Sequence, residues 1–130
     1  MNSGLFPPCF PADLALAAFA TANEAAWPPE VAPVVVQWLG THGYAAIGTE
    51  LWLLQNGSIQ SLPLGSSGVL EVHGNTVNRR TEETWDSFVA RAAAETRAYL
   101  SSFNRCEIAE DGQVYFNVVW TSEADYAQLS

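Results

Sequence analysis

The stretch Gly43–Leu62, GYAAIGTELWLLQNGSIQSL, most constrains what this chain can fold into. A run rich in apolar and aromatic residues extends from Tyr44 to Gln55 and meets Asn56-Gly57, a pair that accepts the two positive φ angles of a tight type I′ turn. The pattern predicts a long β-hairpin. Alternation places Tyr44, Ala46, Gly48, Glu50, Trp52 and Leu54 on one face and Ala45, Ile47, Thr49, Leu51 and Leu53 on the other. Both faces are largely apolar, which suits a central strand covered by helices rather than an edge. Glu50 is the exception, a carboxylate between Gly48 and Trp52.

The flanking segments predict the rest of an α+β fold. Residues 1 to 11 carry Pro7, Pro8 and Pro11 and read as an extended N-terminal arm. A first helix is expected from Ala12 or Asp13 to Ala26, ended by Pro28-Pro29. A second, from Pro29 to Thr41, places Val31, Val34, Val35, Trp38 and Leu39 in one stripe, with Gly40 or Gly43 supplying the left-handed stop. Beyond the PLGSSG connection, Val69–His73 reads as a short third strand and GNTVNRR as polar loop. The third helix, Glu82–Phe103 with Thr81 as cap, has a stripe of Trp85, Phe88, Val89, Ala92, Thr96, Tyr99, Leu100 and Phe103, and an Arg91–Glu95 pair on its solvated side. A second hairpin, Cys106–Ala109 with Gln113–Thr121, turns at Asp111-Gly112, and a helical turn capped by Ser122 ends the chain. The expected order is ααβββαββα, a mostly antiparallel sheet of about five strands with helices packed on it, in a single domain spanning residues 1–130.

Charge narrows the function classes. Fourteen Asp and Glu face five Arg and no Lys, a net charge of −9. Affinity for nucleic-acid backbones and anionic membranes comes from neutralising phosphates, so neither is an expected partner; a more basic protein is. Two cysteines, Cys9 and Cys106, define neither a disulfide framework nor a zinc site and read as free thiols of a cytoplasmic protein. No run of apolar residues approaches the ~18 needed to span a membrane.

The chain has no G-x-S-x-G, no G-x-x-x-x-G-K and no H-E-x-x-H. No catalytic residue, metal ligand set or cofactor is therefore assigned. Among binding candidates, Glu50 accepts hydrogen bonds from a Trp, Tyr or Arg side chain or a helix terminus, acts as an acid or base beside Glu71, or sits at a rim facing a partner. His73 shares a strand face with Glu71, and a metal site with His42 would need the second helix and third strand to converge. Cys106 with His73 would make a nucleophile and base, against a plain core cysteine. Of the five tryptophans, Trp38 and Trp85 suit the core, Trp52 and Trp120 are placed to stack across strands, and Trp27, before two prolines, is the one best placed to reach the surface, where it would suit an interface, against the core packing that favours tryptophan in general. The binding candidates are thus Glu50, Trp52, Glu71, His73 and Trp27.

Gly43-Tyr44, Gly48-Thr49-Glu50-Leu51-Trp52, the helix with Glu83 and Trp85, and Tyr115-Phe116-Asn117-Val118-Val119-Trp120 with Glu123 and Tyr126 together resemble the small acidic immunity proteins of bacterial polymorphic toxin systems. The resemblance covers most of the chain and implies a compact α+β domain that neutralises a cognate toxin by binding it, without catalysis. It transfers no toxin-binding residue. The competing expectation is a small enzyme or ligand-binding domain with a cleft near Glu50, Glu71 and His73; a third is a structural protein that self-associates through a sheet edge.

Overall fold

The computed structural model describes residues 5–21, 24–55, 58–61, 74–101 and 113–129. Their elements run α1 (Ala12–Ala17), β1 (Phe19–Ala20), β2 (Ala25–Trp27), α2 (Ala32–Thr41), β3 (Ala45–Gln55), β4 (Ser58–Ser61), β5 (Gly74–Thr76), α3 (Trp85–Ser101), β6 (Gln113–Thr121) and α4 (Glu123–Leu129). The fold is α+β. Among the described residues every strand pairing is antiparallel, in the order β1-β2-β6-β3-β4, with β5 also on β3.

β3 is central, as its doubly apolar pattern predicts. β6 lies along one side of it, from Ala45–Thr121 to Leu54–Gln113. β4 and β5 share the other side, β5 opposite Gly48–Glu50 and β4 opposite Trp52–Gln55. A register shift between Ala46 and Gly48 marks a bulge in the β3–β6 ladder.

Helices build the core on the face carrying Leu51, Phe116 and Trp27, which align across β3, β6 and β2. That cluster takes Leu14 from α1, Val35, Val36 and Leu39 from α2, and Ala93 and Leu100 from α3. A second cluster joins Ala45 and Val77 to Phe88, Val89 and Ala92 of α3, with Trp85 and Tyr126 against it. Thr96, fully buried in α3, donates to the Ala46 carbonyl at 3.4 Å, so one of the few polar groups in this layer is satisfied by the sheet itself.

The first helix is shorter than its alanine content predicts. It stops at Ala17, and Phe19–Ala20 and Ala25–Trp27 form β1 and β2 instead. Alanine favours a helix locally, but Leu16 and Phe19 would have been the only large apolar residues on the side that such a helix shares with Asn23. Pairing against β6 buries Ala25, Ala26 and Trp27 completely or nearly so. Thr21 supports the reversal: its amide donates to the Glu24 carbonyl at 2.8 Å, and the Glu24 amide donates to Thr21 Oγ1 at 3.1 Å. The element order therefore departs from ααβββαββα before the second helix.

Other boundaries shift for local reasons. α2 starts at Ala32, after a turn in which Val31 and Ala32 donate to the Pro28 carbonyl. Its buried stripe is Ala32, Val35, Val36 and Leu39, one position round from the expected one, leaving Val34 52% exposed. Gly43, at φ +83°, is the left-handed stop; Tyr44 donates to the Leu39 carbonyl at 2.9 Å and Gly43 to that of Gly40 at 3.5 Å, the paired bonds of a Schellman motif. α3 starts at Trp85 rather than Glu82, because Thr84, not Thr81, caps it: the Ser87 amide donates to Thr84 Oγ1 at 3.1 Å. Ser122 caps α4 as expected, accepting from the Asp125 amide at 3.1 Å. β5 falls in the segment read as polar loop. The expected strands Val69–His73 and Cys106–Ala109 and the Asn56-Gly57 turn lie outside the described residues.

α2 and α3 touch where Gly40 meets Ala93; a Cβ built on Gly40 would stand 3.0 Å from the Ala93 Cβ. Gly40→Val is expected to destabilise the protein by about 1–3 kcal/mol through overpacking, read as a lower urea midpoint at unchanged m-value. An unchanged midpoint would show that the two helices do not approach this closely.

Candidate functional site

Of the residues that the sequence puts forward, the structure brings Glu50 and Trp52 together and places Trp27 on the other face of the sheet. Glu50 and Trp52 share one face of β3, opposite Asn117 and Tyr115 of β6. Trp52 is buried and its Nε1 donates to Glu50 Oε1 at 3.2 Å, while Glu50 is exposed. This is the structural role expected of Glu50: it satisfies an indole N–H at the edge of the packed layer. Glu71 and His73 lie outside the described residues, as does Cys106.

Trp27 is not a surface aromatic. It is 1% exposed, and its Nε1 donates to the Leu14 carbonyl at 2.8 Å. The prolines after it end β2 instead of expelling it; the ring lies under Phe6 and Phe10 of the N-terminal arm, each at 6.1 Å between centroids. Trp38 and Trp85 are half-buried rather than sealed in the core. Trp52 and Trp120 do not meet, since Trp52 aligns with Tyr115 and Trp120 with Ala46. Trp120 instead meets Tyr44 edge-on at 5.3 Å.

His42 is exposed at the end of α2. Its Nδ1 donates to the Trp38 carbonyl at 2.9 Å and its ring stacks on Trp38 at 4.0 Å. The pair forms one wall of a groove of about 360 Å³ whose other residues include Pro11, Asp13, Leu14 and Val34. Among the described residues no three His, Cys, Asp or Glu side chains are grouped to hold a metal ion.

The strongest electrostatic feature is a knot around Glu83. Arg91 donates through Nε and Nη2 to both Glu83 oxygens at 2.8 Å, through Nη1 to Glu95 at 3.0 Å, and through Nη2 to the Asn78 carbonyl at 2.7 Å. The Arg80 amide also donates to Glu83 Oε1 at 2.9 Å, and Arg79 Nε to the Glu83 carbonyl at 2.9 Å. Arg79 lies over the Trp85 ring, and its amide donates to Tyr126 Oη at 3.0 Å. The expected Arg91–Glu95 pair is present, but the bidentate partner is Glu83, eight residues away and ahead of the helix, where helical spacing gives no signal. The knot ties the loop before α3 to α3 and α4, and its role is architectural.

A second groove, of about 260 Å³, runs beside β6 and is lined by Leu5, Glu24, Ala25, Asn117, Val118, Val119, Trp120 and Asp125. Asn117 is buried on the sheet face of Glu50, and its Nδ2 donates to the Ala25 carbonyl at 2.8 Å, clamping β2 to β6. Glu24 and Asp125 are exposed at this groove, and sequence reasoning put neither forward, because the turn that brings Glu24 to β6 was hidden inside an expected helix. No known family model, curated protein or solved structure matches the chain.

Arg91, first, and then the Arg80 amide hold the Glu83 carboxyl at about 2, below its ordinary 4.5. A depressed carboxyl stabilises the fold above its unfolded value, and that contribution drains away as pH falls from 4.5 towards about 2. Glu83→Gln should lower the melting temperature at neutral pH, and the gap from the parent should close across that acid window. A gap that is constant from neutral pH into that window would show that the Glu83 carboxylate is not held by the knot.

Proposed function

We propose that this chain is a non-catalytic protein-binding domain of the cytoplasm that engages a more basic protein, in the manner of an immunity protein neutralising its toxin. The observation that carries this reading is the state of the carboxylates. Asp13, Glu24, Glu30, Glu50, Glu82, Asp86, Glu123 and Asp125 are all exposed, and among the described residues none of them forms an ion pair. Among the described residues only Arg91 pairs with carboxylates, Glu83 and Glu95, so these eight carboxylates face outward against the exposed Arg80 and Arg97 and leave the described surface negative. Such a surface accelerates encounter with a basic protein and repels nucleic acid and anionic lipid. No described helix is long and apolar enough to cross a membrane, and the exposed thiol of Cys9 suits a reducing compartment.

The test is titration calorimetry with the purified product of the adjoining gene, together with co-expression of the two. The reading expects a basic partner, binding that weakens about tenfold or more between low and high salt, and restored growth of cells expressing the partner. An adjoining metabolic enzyme, a partner bound without salt dependence, or turnover of a small molecule by the isolated chain would contradict it.

A further inference from the structure

β2 is shorter than the strand it serves. It aligns with β6 only at Trp27–Phe116 and Ala26–Asn117, and the chain turns away at Thr21–Glu24. From Val118 to Thr121, β6 remains paired to β3 through Thr49, Gly48, Ala46 and Ala45, but among the described residues no strand pairs with its other edge. Alternate residues of a strand direct their N–H and C=O to the same side, so this edge offers backbone donors and acceptors to a further strand. The groove beside β6 follows it.

Natural sheet edges are commonly guarded by a lysine, a proline or an inward-pointing charge. Val118-Val119-Trp120-Thr121 contains none of these, and Val119 is 41% exposed. What flanks the edge instead is carboxylate: Glu24 at the tip of the β1–β2 hairpin and Asp125 in the first turn of α4. Both are exposed. Two copies of a chain of charge −9 repel each other at such an edge, whereas a cationic segment is drawn to it. Val118 and Thr121 are buried, so the accessible part of this edge is Val119-Trp120, at the groove, and it takes only a short segment.

We propose that the edge of β6 at Val119-Trp120, between Glu24 and Asp125, takes an extended basic segment of the partner protein as an added strand. The assignment rests on the reading of a basic protein partner and specifies where that partner docks. Backbone pairing supplies the register, the two carboxylates select lysine or arginine side chains, and Val119 offers an apolar contact to a residue between them. The Asn117 clamp keeps β2 in place so that the edge stays open beyond it.

The test titrates the ¹⁵N-labelled full chain with a capped peptide of about nine residues alternating valine and lysine, and with its glutamate counterpart. Binding of the lysine peptide should shift the amides of Val119 and Trp120 and slow their hydrogen exchange. Glu24→Lys and Asp125→Lys should each weaken it about fivefold, while Glu30→Lys leaves it within about twofold. Equal binding of the glutamate peptide, shifts confined to the Trp38–His42 groove, or no binding of either peptide would overturn the edge assignment. Binding of the lysine peptide at another surface would leave the basic-partner reading intact; absence of a complex with the adjoining gene's product as well would remove both.

Discussion

The ladder between β3 and β6 is the constraint that the rest of the molecule depends on. Each strand is buried on the helix side through Leu51, Val114, Phe116 and Val118, and these side chains exist as a surface only when the two strands are in register. A slip of one residue would turn Glu50 and Asn117 towards Val35, Leu39 and Leu100, and Phe116 away from them. The sheet and helices assemble on this pair: β2 on one flank with β1 beyond it, β4 and β5 on the other, and α2 and α3 across the face.

The polar groups inside this frame are few and specifically partnered. Trp27 reaches the Leu14 carbonyl, Trp52 reaches Glu50, Asn117 reaches the Ala25 carbonyl and Thr96 reaches that of Ala46. Each bond joins segments that packing alone would leave free to slide, so they specify alignment more than they add stability. Glu83 plays the same part outside the sheet, fastening loop, α3 and α4 through Arg91, Arg80 and Arg79. Among the described residues only Arg91 is taken up by carboxylates, and the eight unpaired exposed carboxylates outnumber the exposed Arg80 and Arg97, which gives the described surface its negative character.

The periodic segments are legible in the sequence. The Tyr44–Gln55 run, the Gln113–Thr121 alternation and the Phe88–Leu100 stripe all become the elements they predict, because each contains enough large apolar residues to fix its own face. The segment from Ala18 to Trp27 is not legible, since alanine records helix propensity but not the β6 surface that overrides it. Trp27 illustrates the cost of reading neighbours alone: two following prolines suggest exposure, yet the indole is drawn inward by Phe116 across the ladder and by the Leu14 carbonyl. The same hidden turn concealed Glu24, and with it the groove. Glu50 was visible as an anomaly, and its bond to Trp52 was among the roles its position allows.

Native-state hydrogen exchange of the backbone amides tests this account most directly. Amides of Thr49–Trp52 and Val114–Asn117 that point between β3 and β6 should exchange only through global unfolding, and more slowly than those of any helix. If the α3 amides from Phe88 to Leu100 persist while the β3–β6 amides exchange through local opening, the ladder does not hold the fold together and the account fails.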